Sequence, residues 1–127
     1  MRNLLLVGGG GFLGSILRYL LGGVVLHSTG AARFPYATLV VNVTGCLAIG
    51  VIAALAERAS MFTPDVRLFL LTGFLGGYTT FSAFAYETVV LGRENQLASA
   101  ILNVSAQVAL GLIAVWAGHR LATAFVA

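Results

Sequence analysis

Four apolar runs, about Leu4 to Leu26, Tyr36 to Ala56, Val66 to Leu91 and Leu97 to Trp116, fill almost the whole chain. Each is close to the roughly 20 residues that a helix needs to cross a bilayer. The composition agrees: of 127 residues 59% are hydrophobic and 9% charged, with a mean hydropathy of +0.98, whereas a soluble domain carries about 25% charged residues. Only short connections remain, around His27 to Pro35, Glu57 to Asp65 and Gly92 to Gln96, which leaves no space for a soluble catalytic or nucleotide-binding domain. The expected fold is an all-α membrane protein, a single four-helix transmembrane domain over residues 1–127, and not an enzyme.

The start, Met1 to Val7, has the basic residue and apolar run of a signal peptide. Arg18 and dispersed glycines follow it without a small-x-small cleavage site, so it is expected to begin the first span. One cysteine, Cys46, excludes an internal disulfide and a multi-cysteine zinc site and reads as a packing residue. The net charge of +3 is spread thinly and forms no patch suited to nucleic acid. With four spans, Arg2, Arg58, Arg67 and Arg120 fall on one side of the membrane and Arg33 and Arg93 on the other. The positive-inside rule then gives a cytoplasmic amino terminus by a narrow margin. So weak a bias is compatible with insertion in both orientations. Four helices alone enclose little space for a pathway, so a homodimer is expected, and a symmetric dimer is the commonest oligomer.

Three of the runs carry polar or small residues at helical spacing. In the first, Gly10, Gly14 and Arg18 share a face, which reads as a close-packing surface ending in a charge. A charge inside a span faces a partner or an aqueous cavity unless it snorkels to the interface, and both readings of Arg18 stand. In the second, Thr38, Asn42 and Gly45 share a face. The Asn42 amide either joins helices by hydrogen bonds or donates to a passing anion. In the fourth, Ser99, Asn103, Gln107 and Gly111 form a hydrogen-bonding stripe along which water or ions can track, or which joins helices. Trp116 and His119 read as interfacial residues, and His27 as a solvated loop side chain.

The third run differs in kind. Gly73 to Glu87 reads GFLGGYTTFSAFAYE. A lipid-facing helix needs none of Gly76, Gly77, Thr79 and Thr80, and glycine costs about 1 kcal/mol relative to alanine within a helix. Irregular backbone at this depth must be shielded by protein or water, and broken helices are where membrane proteins present backbone groups to ions. Phe81 and Phe84 lie on one face with Ser82 beside them. Phenyl rings are usually core packing, but their edges carry the positive part of the ring quadrupole and can attract a small anion. Glu87 projects from the same side, either ending a pathway or pairing with an arginine.

Together, GFLGGYTTFSAF at Gly73 to Phe84 followed by Glu87, TLVVNVTG at Thr38 to Gly45 and GFLGSILRY at Gly11 to Tyr19 resemble the Fluc (CrcB) family of fluoride channels over essentially the whole chain. The resemblance implies an antiparallel dual-topology homodimer in the bacterial plasma (inner) membrane, with two fluoride pores and a structural sodium ion at the dimer centre. The backbone carbonyls of Gly76 and Thr79, at a break in the third helix, would hold the sodium. Thr38, Asn42, Phe81, Ser82, Phe84, Asn103 and Gln107 are expected along the fluoride pathway, with Arg18 and Glu87 as vestibule or structural charges. Many members carry a second serine where this chain has Ala85. They also have a tyrosine or asparagine followed by serine in the fourth helix, where Asn103 and Gln107 stand here.

The chemistry suits fluoride, a small and strongly hydrated ion. A pore must replace its water with several donors yet form no site deep enough to trap it. Amides, a hydroxyl and ring edges offer such graded attraction. No GxxxxGK loop is present to drive a motor, so transport is expected to be passive. Two rival readings stand beside this one. A small multidrug-type exporter would need an acid deep in the first span, which holds none. A non-transporting membrane subunit would use the amides and glycines as helix contacts only.

Overall fold

The computed structural model describes residues 1–30, 33–58 and 62–125. Residues 31–32 and 59–61, within two of the expected connections, lie outside the described residues. Helix α1 spans Arg2–Thr29 and α2 Tyr36–Arg58. The third apolar run is composite: a short α3, Pro64–Arg67, leads into a π-helical stretch Leu68–Leu75 and a single turn α4, Gly76–Tyr78. Thr79 and Thr80 then adopt extended backbone, and α5 runs from Phe81–Arg93. Helix α6 spans Leu97–Phe125. The described residues thus form an all-helical multi-pass membrane protein with four segments long and apolar enough to cross a bilayer.

The helices exceed the apolar runs at several ends, because a helix continues past the hydrocarbon until a cap stops it. α1 continues to Thr29, where Gly30 caps it in the left-handed region (φ 62°, ψ 46°). His27 is therefore on a helix and not in a loop. α6 likewise extends nine residues beyond Trp116, to Phe125. At the start of α3, Thr63 Oγ1 accepts from Val66 N at 3.3 Å and Pro64 occupies the first turn. The α5–α6 turn is closed by Asn95 in the left-handed region (φ 60°) and by Gln96 N donating to Leu91 O at 2.9 Å.

Small residues set the packing. α1 lies against the π-helical stretch and α4, and α2 pairs along its length with α6. A Cβ on Gly10 would lie 2.8 Å from Phe74 N, and one on Gly77 would lie 2.8 Å from Gly11 Cα. Gly50 and Gly118 play the same part between α2 and α6, where added Cβ atoms would strike the Val115 and Leu47 backbones. Within a bilayer there is no water-driven force between helices, so such close backbone approach is what van der Waals association requires. The face expected from Gly10 and Gly14 is thus a contact with the third segment. Val41, Leu75 and Tyr78 form a buried centre with Leu71 and Phe74 packed against it.

One end of the bundle is tied by polar contacts. Arg2 pairs with Asp65 at 3.0 Å, His119 Nε2 lies 3.4 Å from Glu57 Oε2, and Arg67 donates to the Ala56 carbonyl. These bring the start of α1, the α2–α3 region and the latter part of α6 to one end. That is the up-and-down arrangement expected of four spans.

Candidate functional site

The interruption at Thr79 and Thr80 is held by side chains that replace helical hydrogen bonds. In an unbroken helix Thr80 N–H would bond to Gly76 O, and Ala83 N–H to Thr79 O. Here Thr80 N–H donates to Asn42 Oδ1 at 2.8 Å, and Ala83 N–H donates to Thr80 Oγ1 at 3.2 Å. The carbonyls of Gly76 and Thr79 are thereby relieved of those partners. The extended residues are the two threonines; Gly76 itself is helical (φ −63°, ψ −34°), and Gly77 lies in α4 with no room for a Cβ against Gly11.

Asn42 also donates through Nδ2 to Thr80 O and to Gln107 Oε1, each at 3.1 Å. This links α2, the interruption and α6. Around the link lies a cavity of about 400 Å³ lined by Asn42, Thr79, Thr80, Phe81, Phe84 and Gln107 among others. The two rings meet edge to face, with centroids 5.4 Å apart and planes at 65°. Among the described residues that line it, none carries a formal charge. Its polar lining comes from the amide side chains of Asn42 and Gln107 and from Thr79 and Thr80, beside the two phenyl rings.

Other expected site residues sit apart from this cavity. Arg18 and Thr38 line a second cavity of about 340 Å³ that shares Thr80 with the first. Thr38 Oγ1 donates to Glu87 Oε1 at 2.7 Å. Glu87 in turn lines a third cavity, of about 210 Å³, with Arg33, Tyr86 and Glu94. Among the described residues neither Arg18 nor Glu87 forms an ion pair. Asn103 is fully buried, and its Nδ2 donates to Thr88 Oγ1 at 2.9 Å, joining α6 to α5. Ser82 is exposed, with Oγ 3.3 Å from Thr80 Oγ1.

The fourth-helix stripe is therefore divided between neighbours: Asn103 meets α5, while Gln107 and Gly111 meet α2 through Asn42 and Cys46. Sequence reasoning placed Thr80 only within the irregular segment, without its partners, and passed over Thr88. Thr80 caps α5, pairs with Asn42 and borders two cavities. Thr88 donates to Phe84 O at 2.8 Å while receiving Asn103. The available signal for Thr80 was a threonine directly before a helical run, the usual helix cap.

The family model described as CrcB-like protein, Camphor Resistance (CrcB), matches residues 5–119. The chain belongs to this family. Among its curated relatives, a protein of Rhizobium meliloti (strain 1021) named fluoride-specific ion channel FluC is 47% identical over 126 residues, covering 99% of this chain and 100% of the relative. Proteins of the same name from Solibacter usitatus (strain Ellin6076) and Methylobacillus flagellatus are 48% and 43% identical, over 96% and 95% of this CrcB-like chain and 98% and 94% of their own lengths.

Proposed function

We propose that this CrcB-like chain forms a fluoride-selective channel through which fluoride leaves the cell passively, lowering its toxicity. The observation that carries the reading is the cavity in which the Phe81 and Phe84 rings, Asn42 and Gln107 converge without a formal charge. The near full-length likeness to proteins named fluoride-specific ion channel supports it. Donors of this strength replace part of the hydration of a small anion without trapping it. The test is fluoride release from liposomes holding the purified protein, read with a fluoride electrode beside a chloride control. Fluoride release far above chloride is expected; no fluoride flux, or equal chloride flux, sinks the reading.

The channel is read as an antiparallel, dual-topology homodimer in the bacterial inner membrane. The weak bias of arginines, four on one side and two on the other, is compatible with insertion both ways. Phe81 is 77% exposed on the single chain, and the cavity beside it is completed by a second copy in this reading. The pathway runs past Thr38, Asn42, Phe81, Ser82, Phe84, Asn103 and Gln107, with Arg18 and Glu87 near its ends.

A structural sodium ion belongs to the same reading. The donor set fits it: the Gly76 and Thr79 carbonyls, freed of their helical partners, are uncharged hard oxygens of the kind a monovalent cation takes in place of water. Bound there from both subunits, the ion would fix the interruption at the dimer centre.

A further inference from the structure

The hydrogen bonds around Thr80 decide which amide nitrogen is free to meet an anion. Thr80 offers Asn42 both backbone groups: its N–H can bind only an oxygen, and its C=O only an N–H. The Asn42 amide therefore has one possible orientation. Its two N–H bonds go to Thr80 O and Gln107 Oε1, and its oxygen accepts from Thr80 N. No donor is left over.

That orientation fixes the next amide as well. Because Asn42 presents an N–H to it, Gln107 must turn its oxygen toward Asn42 and its nitrogen away. Gln107 Nε2 is shielded from solvent and has no hydrogen-bond partner among the described residues, although Gln107 lines the cavity shared with Phe81 and Phe84. A shielded amide nitrogen without a partner is costly, so a site that keeps one has a use for it.

The geometry points to a division of labour that rests on the channel reading above. Asn42 is a positioning residue, a latch that holds Thr80 extended and aims Gln107. Gln107 Nε2 is the amide donor presented to the permeating fluoride. The two open sequence readings of Asn42, helix contact or anion donor, thus resolve toward contact, and the donor role passes to Gln107.

The test has two arms on the full-length protein. In the first, Gln107→Met keeps side-chain length and removes both N–H donors, and Gln107→Ser supplies a shorter donor. Fluoride flux in liposomes is expected to fall about tenfold or more for Gln107→Met, as loss of a bond to a charged partner implies, with Gln107→Ser in between. If Gln107→Met does not fold, Gln107→Glu, which keeps an oxygen for Asn42, replaces it with the same expectation. A folded variant without the donor that conducts at the wild-type rate overturns the Gln107 role. In the second arm, hydrogen–deuterium exchange over Thr79 to Phe84 is read in detergent. Asn42→Ala is expected to speed exchange and Asn42→Asp, which keeps the accepting oxygen, to preserve protection. Unchanged exchange in Asn42→Ala overturns the latch. Absence of fluoride flux in the unmodified protein removes the channel reading and the donor role with it, while the exchange arm still decides the latch.

Discussion

Thr38 Oγ1 is 2.7 Å from Glu87 Oε1 and joins α2 to α5 across the membrane-spanning region, while the second oxygen of Glu87 is buried without a partner among the described residues. One hydroxyl therefore supplies the carboxyl group's protein contact. Thr38→Val removes it and should cost about 1–3 kcal/mol, the penalty for leaving a buried polar group unmatched. Thr38→Ser, which retains the hydroxyl, should lie close to wild type. Thermal unfolding in detergent checks both.

The aromatic pair gives a functional prediction. Phe81→Ile and Phe84→Ile keep an apolar side chain but remove the ring edge. Fluoride flux should fall between about two- and thirteenfold for each, the range implied by an edge interaction of roughly 0.5–1.5 kcal/mol. Thermal unfolding should show both variants folded. Unchanged flux in both would take the rings out of the mechanism.

Glycine substitutions separate packing from mere conformity to a pattern. Gly77 and Gly22 are both helical-segment glycines, yet a Cβ on Gly77 would meet Gly11 Cα at 2.8 Å, and one on Gly22 would meet nothing within 4 Å. Gly77→Ala should destabilise by about 1–3 kcal/mol through overpacking. Gly22→Ala should stay within about 0.5 kcal/mol of wild type. Equal melting temperatures for the two would contradict the packing of α1 on the third segment.

Sodium should act as a stabilising ligand. Exchange into a buffer in which a large organic cation replaces sodium should lower the melting temperature. Returning sodium should restore it, adding about 1.4 kcal/mol of stability for each tenfold increase above the dissociation constant. A melting temperature that ignores sodium at constant ionic strength would count against a cation on the Gly76 and Thr79 carbonyls.

Topology is open to direct labelling. After Cys46→Ser, a cysteine placed at Asn95, in the α5–α6 turn, should react with an impermeant reagent from each side of the membrane in comparable fractions. Labelling of every molecule from one side alone would refute dual insertion.

The four spans were readable because burying so few charges in so apolar a chain admits no other solvent. The convergence of Asn42, Phe81, Phe84 and Gln107 was partly readable too, since helical spacing puts each on a definite face. Pairings between helices were less accessible. Spacing along α6 groups Asn103 with Gln107, yet neighbouring helices divide them, one to Thr88 and the other to Asn42. The glycines and threonines of the third segment signalled irregularity together, but Gly73 and Gly77 serve close approach to α1, and the extended backbone falls on Thr79 and Thr80. Thr80 can sustain that conformation because its own hydroxyl caps the helix that follows and the distant Asn42 accepts from its N–H, and only the second of these depends on the fold.

The two extended residues also sort charge. The helical run before them ends with its carbonyls, the negative pole, and α5 begins after them with its amides, the positive pole, each worth roughly half an elementary charge. Opposite fields thus arise within two residues of each other, one favouring a cation and one an anion, with no ionised side chain buried to make them. Peptide dipoles do not titrate. The attraction that this short stretch exerts on ions of either sign is accordingly set by the chain's shape and should persist across every pH at which that shape survives.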